Sequence, residues 1–177
     1  IWNGSSWSTP SLALDDIDIV DPISFDFDNN KAIATWSQDT DGNSTTKEDI
    51  EIFYSTWNGA SWSVPIKFTN DSHADKLPNV AYTKEGAPLL AWTKDESIVS
   101  STENRSINNI YYSKYEGSWS TPALLSETIS VDAMKLVKDP LNNPVILWQQ
   151  VSEEGSDIFY SVYDTIHNSW SLKNQLT

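Results

Sequence analysis

A short acidic stretch, Asp39-Thr40-Asp41-Gly42-Asn43, places an oxygen-bearing side chain at every second residue around a glycine. Calcium is bound by carboxylate, amide and carbonyl oxygens, and calcium loops use this alternate spacing with a glycine at the turn. The stretch lacks the third aspartate and the distal glutamate of a complete EF-hand loop. We therefore predict calcium at Asp39, Asp41 and Asn43, and no other cofactor.

The tryptophans are a second set of candidate binding residues, because exposed aromatic rings can stack on sugars. The chain contains nine of them. Seven hold equivalent positions in an internal repeat, where packing of their large apolar surfaces explains them. The other two, Trp2 and Trp57, lie at predicted hairpin tips and are the candidate ligand-binding residues.

Residues of several common catalytic centres are missing. The chain has no cysteine, which excludes a Cys nucleophile, a thiolate metal site and a disulfide framework. His73 and His167 lie in different repeats, without the spacing of a Ser–His–Asp triad. Neighbouring carboxylates such as Asp15-Asp16 and Glu153-Glu154 lie in polar loops. We therefore predict no catalytic residues and expect that the chain is not an enzyme.

The charge balance excludes one class of partner. Twenty-five acidic residues against eleven basic ones give a formal net charge of −14. Nucleic-acid recognition needs a basic surface, so no nucleic-acid partner is expected. No apolar stretch approaches the roughly 20 residues of a membrane span.

Three motifs recur in a fixed order along the chain and must be positioned by a repeated structure. An apolar run ends in Trp36, Trp92 and Trp148, an Ile-aromatic-Tyr-Ser run ends in Ser55, Ser113 and Ser161, and a Trp-Ser pair follows at Trp7, Trp62, Trp119 and Trp170. Each repeat carries four strand-like runs, which in the second repeat cover about 78–83, 88–93, 110–115 and 118–125. Four antiparallel strands per repeat of this length predict an all-β fold of β-propeller blades.

The motif order also gives domain boundaries. We predict the outer strand of a preceding blade at 1–14, followed by blades at 15–69, 70–126 and 127–177. Known propellers have at least four blades, so three blades and one extra strand form an open or partial propeller. We expect a fragment of a longer propeller, or an assembly in which open strand edges pair with neighbouring chains.

The hairpin Ser55-Thr56-Trp57-Asn58-Gly59-Ala60-Ser61-Trp62 resembles the Asp-box, Ser-x-Asp-x-Gly-x-Thr-Trp, of sialidase-type (BNR-like) propellers. It also lies at the turn between the third and fourth strands, where that family carries the box. The boxes are degenerate, with Trp57, Tyr115 and Tyr163 in place of the aspartate. The whole repeat resembles those of large microbial cell-surface proteins, which implies an extracellular or cell-surface location.

This resemblance implies a catalytic set of three arginines, a Tyr–Glu nucleophile pair and an acid aspartate. The chain has a single arginine, Arg105, whereas bidentate recognition of a carboxylate needs arginine. The leading hypothesis is therefore a non-enzymatic extracellular scaffold that binds other proteins. The alternatives are a carbohydrate-binding, lectin-like propeller and a fragment of a sialidase-like glycoside hydrolase.

Strand direction alternates within a blade, so the connectors between blades and the loops after the second strands share one face. Those segments hold most of the acidic residues. This predicts an acidic face that serves solubility, or that attracts divalent cations or a basic partner.

Overall fold

The computed structural model describes residues 4–6, 9, 18–43, 45–99, 104, 105, 107–128, 130–152 and 155–177. All regular structure in these ranges is β-strand, arranged in three antiparallel sheets and one small ribbon. Accordingly, none of these ranges contains a helix long and apolar enough to cross a membrane.

Each sheet is built from consecutive strands. Sheet 1 contains β1 (Ser24–Asp28), β2 (Lys31–Asp39), β3 (Ile50–Trp57) and β4 (Ile66–Lys67). Sheet 2 begins with β5 (Asp75–Tyr82) and β6 (Pro88–Asp95), is interrupted by the ribbon β7 (Ile98–Val99) and β8 (Asn104–Arg105), and ends with β9 (Asn108–Lys114) and β10 (Ala123–Ser126). Sheet 3 contains β11 (Val131–Lys138), β12 (Pro144–Ser152) and β13 (Gly155–Asp164), against which both β14 (Ser169–Trp170) and β15 (Asn174–Gln175) pair.

The tryptophans of the second strands are core residues. Trp36, Trp92 and Trp148 are fully buried, and each stacks on an aromatic ring of the third strand of its own sheet. Aromatic side chains bury large areas and stabilise such pairs beyond the area term. The first repeated motif is therefore explained by packing.

The repeated serines are tied together in the same way in all three sheets. Each serine that ends the second motif donates from its Oγ, over 2.8 Å, to the carbonyl oxygen of the serine in the Trp-Ser pair. The three pairs are Ser55–Ser63, Ser113–Ser120 and Ser161–Ser171. The bond holds the chain against the third strand just beyond the hairpin, which explains the fixed spacing of the two motifs.

The hairpin of sheet 3 replaces glycine with asparagine. Gly59 and Gly117 adopt φ of 99° and 86° in the first two hairpins, and Asn168 adopts 51° in the third. Asparagine tolerates this left-handed region better than other non-glycine residues. The third repeat thus keeps its hairpin although the sequence has lost the glycine.

The fourth strands are shorter than the sequence predicts. The sequence predicts a continuous strand over 118–125, but Trp119 forms only an isolated bridge to Tyr115 before β10 begins at Ala123. Pro122 lies between these pairings, as Pro65 does in sheet 1, and proline has no N–H to donate to a ladder. The outer edge is consequently broken into short pieces, which limits edge-to-edge association.

Neighbouring sheets pack face to face. One apolar cluster joins Ile33 and Ile52 of sheet 1 to residues of sheet 2 that include Val80 and Trp92. A second cluster joins Ala81 of sheet 2 to residues of sheet 3, namely Val131, Met134, Leu136, Ile146 and Trp148. Sheets 1 and 2 therefore each bury one face against the next sheet in the chain.

The first strands of the three sheets lie side by side and exchange polar contacts. Ser24 Oγ and Asp26 Oδ2 accept hydrogen bonds from the backbone N–H groups of Val80 and Tyr82, over 3.2 and 2.8 Å. Asn79 Oδ1 accepts from the N–H of Leu136 over 3.3 Å. Side chains thus satisfy backbone donors at strand edges that would otherwise have no sheet partner.

The all-β fold of antiparallel sheets is confirmed, with four strands in sheets 1 and 2 and five in sheet 3. The number of blades, ring closure and the domain boundaries stay predictions. Trp2 and most of the predicted strand at 1–14 lie outside the described residues.

Candidate functional site

The acidic stretch forms a tight loop between β2 and β3. Asp39 Oδ1 accepts hydrogen bonds from the N–H groups of Asp41 and Gly42, and Asp41 Oδ1 accepts from that of Asn43. Asn43 Oδ1 instead accepts from Thr45 Oγ1 over 2.7 Å. The loop therefore folds around its own carboxylates.

Asp49 joins Asp39 and Asp41, and one oxygen of each lies within 4.8 Å of the others. Sequence spacing missed Asp49, which is ten residues from Asp39. The signal was the hairpin register, since β2 and β3 pair Asp39 with Ile50 and so bring Asp49 back to the start of the loop. Asp49 Oδ1 is buried and has no hydrogen-bond partner among the described residues.

The pKa of Asp41 reflects the crowding of negative charge in the loop. The Asn43 N–H lowers the pKa of Asp41, but desolvation and the nearby carboxylates of Asp49 and Asp39 raise it by more. The net pKa lies above the ordinary value. Like charges at this distance repel, and a bound cation would relieve that repulsion.

Two carboxylates are buried where sheet 1 meets sheet 2. Glu51 is 2% exposed, lies 3.2 Å from Lys67 Nζ through Oε1, and has no partner for Oε2 within the described ranges. Asp75 is 0% exposed and accepts from Trp92 Nε1 over 2.8 Å through Oδ1, whereas its Oδ2 lacks a partner there. Burial raises the pKa of Asp75 to about 7, against the lowering influence of Lys94. The junction therefore holds an acid that titrates near neutral pH.

The two histidines lie beside aspartates on different sheets. His73 Nδ1 is 3.2 Å from Asp71 Oδ1, and His167 Nδ1 is 2.6 Å from Asp164 Oδ2. The side chain of His167 is 74% exposed and that of His73 42%. The geometry does not bring the two histidines together.

A groove of about 400 Å³ runs between the outer parts of sheets 1 and 2. Its lining residues are Tyr54, Ile66, Lys67, Phe68, Trp119, Ser120 and Pro122. The Trp119 ring meets those of Tyr54 and Phe68 edge to face at 5.5 and 5.1 Å. Such a mixture of aromatic walls and a few polar groups is typical of small-ligand sites.

Trp57, a candidate from the sequence, lies elsewhere. It ends β3 and packs on Trp62, with ring centroids 5.8 Å apart. It is half-buried and is not part of the groove lining. Sequence reasoning missed the groove because Tyr54 and Trp119 belong to repeated motifs assigned to the core.

Comparison with known proteins identifies the fold only. No protein-family model matches the chain, and no curated protein sequence matches it. Three solved structures resemble it: a protein of unknown function from Dyadobacter fermentans (TM-score 0.61, 11% identity), an arginine-to-alanine mutant of AofleA from Arthrobotrys oligospora (0.54, 14%) and the GH32 β-fructofuranosidase of Bombyx mori (0.51, 9%). They align with 88%, 98% and 91% of this chain, which spans 56%, 48% and 38% of theirs. The neighbours are propeller-like and include a carbohydrate-active enzyme.

The prediction that the chain is not an enzyme is wrong as it was argued. The β-fructofuranosidase shows that this fold carries glycoside hydrolysis. The absence of three arginines excludes only sialidase-like chemistry. The absence of a Ser–His–Asp triad excludes only serine-hydrolase chemistry.

Proposed function

We propose that the chain is a β-propeller segment that recognises carbohydrate, with sheets 1, 2 and 3 as successive blades. The observation that carries the proposal is the groove between sheets 1 and 2, where Tyr54, Phe68 and Trp119 form an aromatic wall. The fold shared with a β-fructofuranosidase also supports carbohydrate recognition.

The groove offers both kinds of contact that a sugar needs. Ile66, Pro122 and the aromatic rings supply apolar surface for the C–H face of a pyranose or furanose ring. Lys67 and Ser120 supply polar groups at the rim for hydroxyl groups. A site between blades also places a ligand where two sheets hold it in a fixed geometry.

The sialidase-type assignment of the repeats and a cell-surface location belong to this proposal. The supporting feature is the position of the hairpin between the third and fourth strands. In sheet 1, Asn58, the residue after Trp57, closes this hairpin by accepting at Oδ1 from the N–H groups of Ala60 and Ser61. Further blades, in the same chain or in a neighbouring one, are the expected partners.

A glycan array with the intact chain tests carbohydrate recognition. Ile66→Arg fills the groove with a long charged side chain and should weaken binding of any glycan hit at least tenfold. Val64→Arg makes the same change at an exposed position two residues away and should bind as the wild type does. Trp57→Ala tests the hairpin site separately.

The outcomes are distinct. Loss of binding in Ile66→Arg alone supports the groove, and loss in Trp57→Ala alone moves the site to the hairpin. An array without any hit overturns carbohydrate recognition. Incubation of each hit with the protein, followed by an assay for reducing sugar, decides whether recognition leads to hydrolysis.

We also propose that Asp39, Asp41 and Asp49 bind calcium, with Asn43 in the same loop. The supporting observations are the three converging carboxylates and the buried, unpartnered Oδ1 of Asp49. Isothermal titration with Ca²⁺ should give measurable heat, and calcium should raise the melting temperature. Absence of both effects would contradict this proposal.

A further inference from the structure

One side of sheet 1 exposes an apolar surface. Phe25 and Phe27 lie in β1, and Ile23 lies directly before it, so the three occupy alternate positions; they are 61%, 55% and 48% exposed. Alternate residues of a strand lie on one face. The rings of Phe25 and Phe27 contact each other edge to face, at 5.5 Å, on that face. Exposed apolar patches of this kind mark interaction surfaces.

Strand pairing identifies the equivalent residues in the other sheets. Phe25 pairs with Ala34, Val80 with Leu90, and Leu136 with Ile146, and these partners precede the repeated tryptophans by two residues in each sheet. Phe25, Val80 and Leu136 therefore hold the same position. Ile23, two residues before Phe25, corresponds in the same way to Met134, two residues before Leu136.

These equivalents are buried by the preceding sheet. Val80 is 2% exposed in the cluster with sheet 1, and Leu136 is 7% exposed in the cluster with sheet 2. Phe25 alone is open to solvent at this position. The apolar face of sheet 1 is thus an interface of the same type whose partner sheet is not among the described residues.

Sheet 3 exposes the complementary face. Lys135 pairs with Leu147 and so corresponds to Ser24 and Asn79, which bond to the backbone of the following first strand. Val137 corresponds to Ala81, which packs in one cluster with Met134 and Leu136. Lys135 is exposed, and Val137 is 45% exposed.

We propose that sheet 3 of a second copy of this chain packs on the open face of sheet 1, head to tail, so that two copies close a ring. By the established pattern, Val137 of the second copy would contact Ile23 and Phe25. Lys135 of the second copy would donate to the carbonyl oxygen of Ile23, as Asn79 Nδ2 donates to that of Met134 over 3.2 Å.

Two further observations favour a second copy as the occupant. Both halves of the interface are present and exposed in one chain, which is the condition for head-to-tail association. One copy also aligns with roughly half the length of two structures with this type of fold and with 38% of a third, which leaves room in such a fold for a second unit of similar size. This inference rests on the propeller arrangement and not on carbohydrate binding.

The mass of the intact chain in solution tests the proposal. Sedimentation or light scattering at micromolar concentration should give twice the 19.9 kDa of one chain. Phe25→Asp with Phe27→Asp should give the monomer mass, and so should Val137→Asp. Val64→Asp places the same charge at an exposed residue outside both faces and should leave the dimer intact.

Mixing distinguishes head-to-tail pairing from other dimers. Equal amounts of the Phe25/Phe27 variant and the Val137 variant retain one unaltered interface between them and should recover dimer mass. A dimer insensitive to these substitutions, or a mixture that stays monomeric, overturns the proposal. A monomeric wild type also overturns it and leaves the two faces to further blades, whatever the glycan array shows.

Discussion

Asp75 is a carboxylic acid placed where water does not reach it, between two packed sheets. Desolvation raises its pKa to about 7, and the indole N–H of Trp92 and the charge of Lys94 only partly offset that effect. In the unfolded chain the carboxyl group has its ordinary pKa near 3.8. Between pH about 4 and pH about 7, Asp75 is therefore protonated in the folded protein and ionised in the unfolded chain.

This difference predicts a stability that falls as pH rises. The free energy of unfolding should decrease between pH about 4 and pH about 7, by on the order of 4 kcal/mol, and level off above. Asp75→Asn keeps an acceptor for Trp92 but has no charge, so it should be more stable than the wild type at pH 8 and similar at pH 4. Urea unfolding at several pH values measures this.

Asp132→Asn is the matched control, because Asp132 is exposed on β11. It should reproduce the wild-type pH profile. A wild-type profile identical to that of Asp75→Asn would show that Asp75 is ionised in the folded protein throughout this range.

Asp49 gives a sharper test of the calcium loop than the residues visible in the sequence motif. Asp49→Asn removes one of three converging charges and should weaken Ca²⁺ binding at least tenfold by calorimetry. Glu48→Gln removes the same charge from the neighbouring exposed residue and should change affinity less than twofold. Equal effects of the two substitutions would indicate diffuse attraction to an acidic surface instead of a site.

At the scale of strands, the paired serines fix where the chain goes after each hairpin. Ser113→Ala removes a buried hydroxyl that donates to the carbonyl of Ser120 and leaves that acceptor unpaired. We expect a loss of about 1–2 kcal/mol in the free energy of unfolding. Ser118→Ala, at an exposed position of the same hairpin, should cost less than 0.5 kcal/mol, roughly the range of surface substitutions.

The corresponding substitutions at Ser55 and Ser161 provide an internal check, since the bond is 2.8 Å long in each sheet. All three should destabilise by similar amounts. A large effect in one sheet only would show that the three bonds, although equivalent in sequence and structure, contribute unequally to the free energy of unfolding.

The elements also show how far sequence reasoning reaches. The strands that contain Trp36, Trp92 and Trp148 were predictable, because a buried strand in a repeat shows both its apolar run and its period, although β2, β6 and β12 continue for three or four residues beyond the tryptophan. The interruption of the fourth strands was not predictable. Pro65 and Pro122 interrupt them because proline has no N–H to donate to the third strand, and a run of strand-like residues does not show that pairing. Asp49 and the groove at Tyr54 and Trp119 depend on contacts between segments distant in sequence, and a one-dimensional pattern does not contain them.

At the scale of the whole molecule, the net charge of −14 acts on all contacts at once. Self-repulsion destabilises a compact chain of high net charge. Ion pairs such as Lys138–Asp26, at 2.7 Å, oppose it, but surface pairs contribute only about 0–1 kcal/mol each. With 25 acidic and 11 basic residues, most carboxylates have no cation to pair with. Repulsion should therefore dominate the electrostatic free energy.

Salt tests which of these two contributions is larger, because it screens both. Between about 0.01 M and about 1 M NaCl the Debye length falls from about 30 Å to about 3 Å. If repulsion dominates, the melting temperature rises over this range. Replacing Asp41 and Asp49 by asparagine should flatten the rise, because two charges leave the crowded loop. A melting temperature that falls with salt would show that the ion pairs outweigh the repulsion.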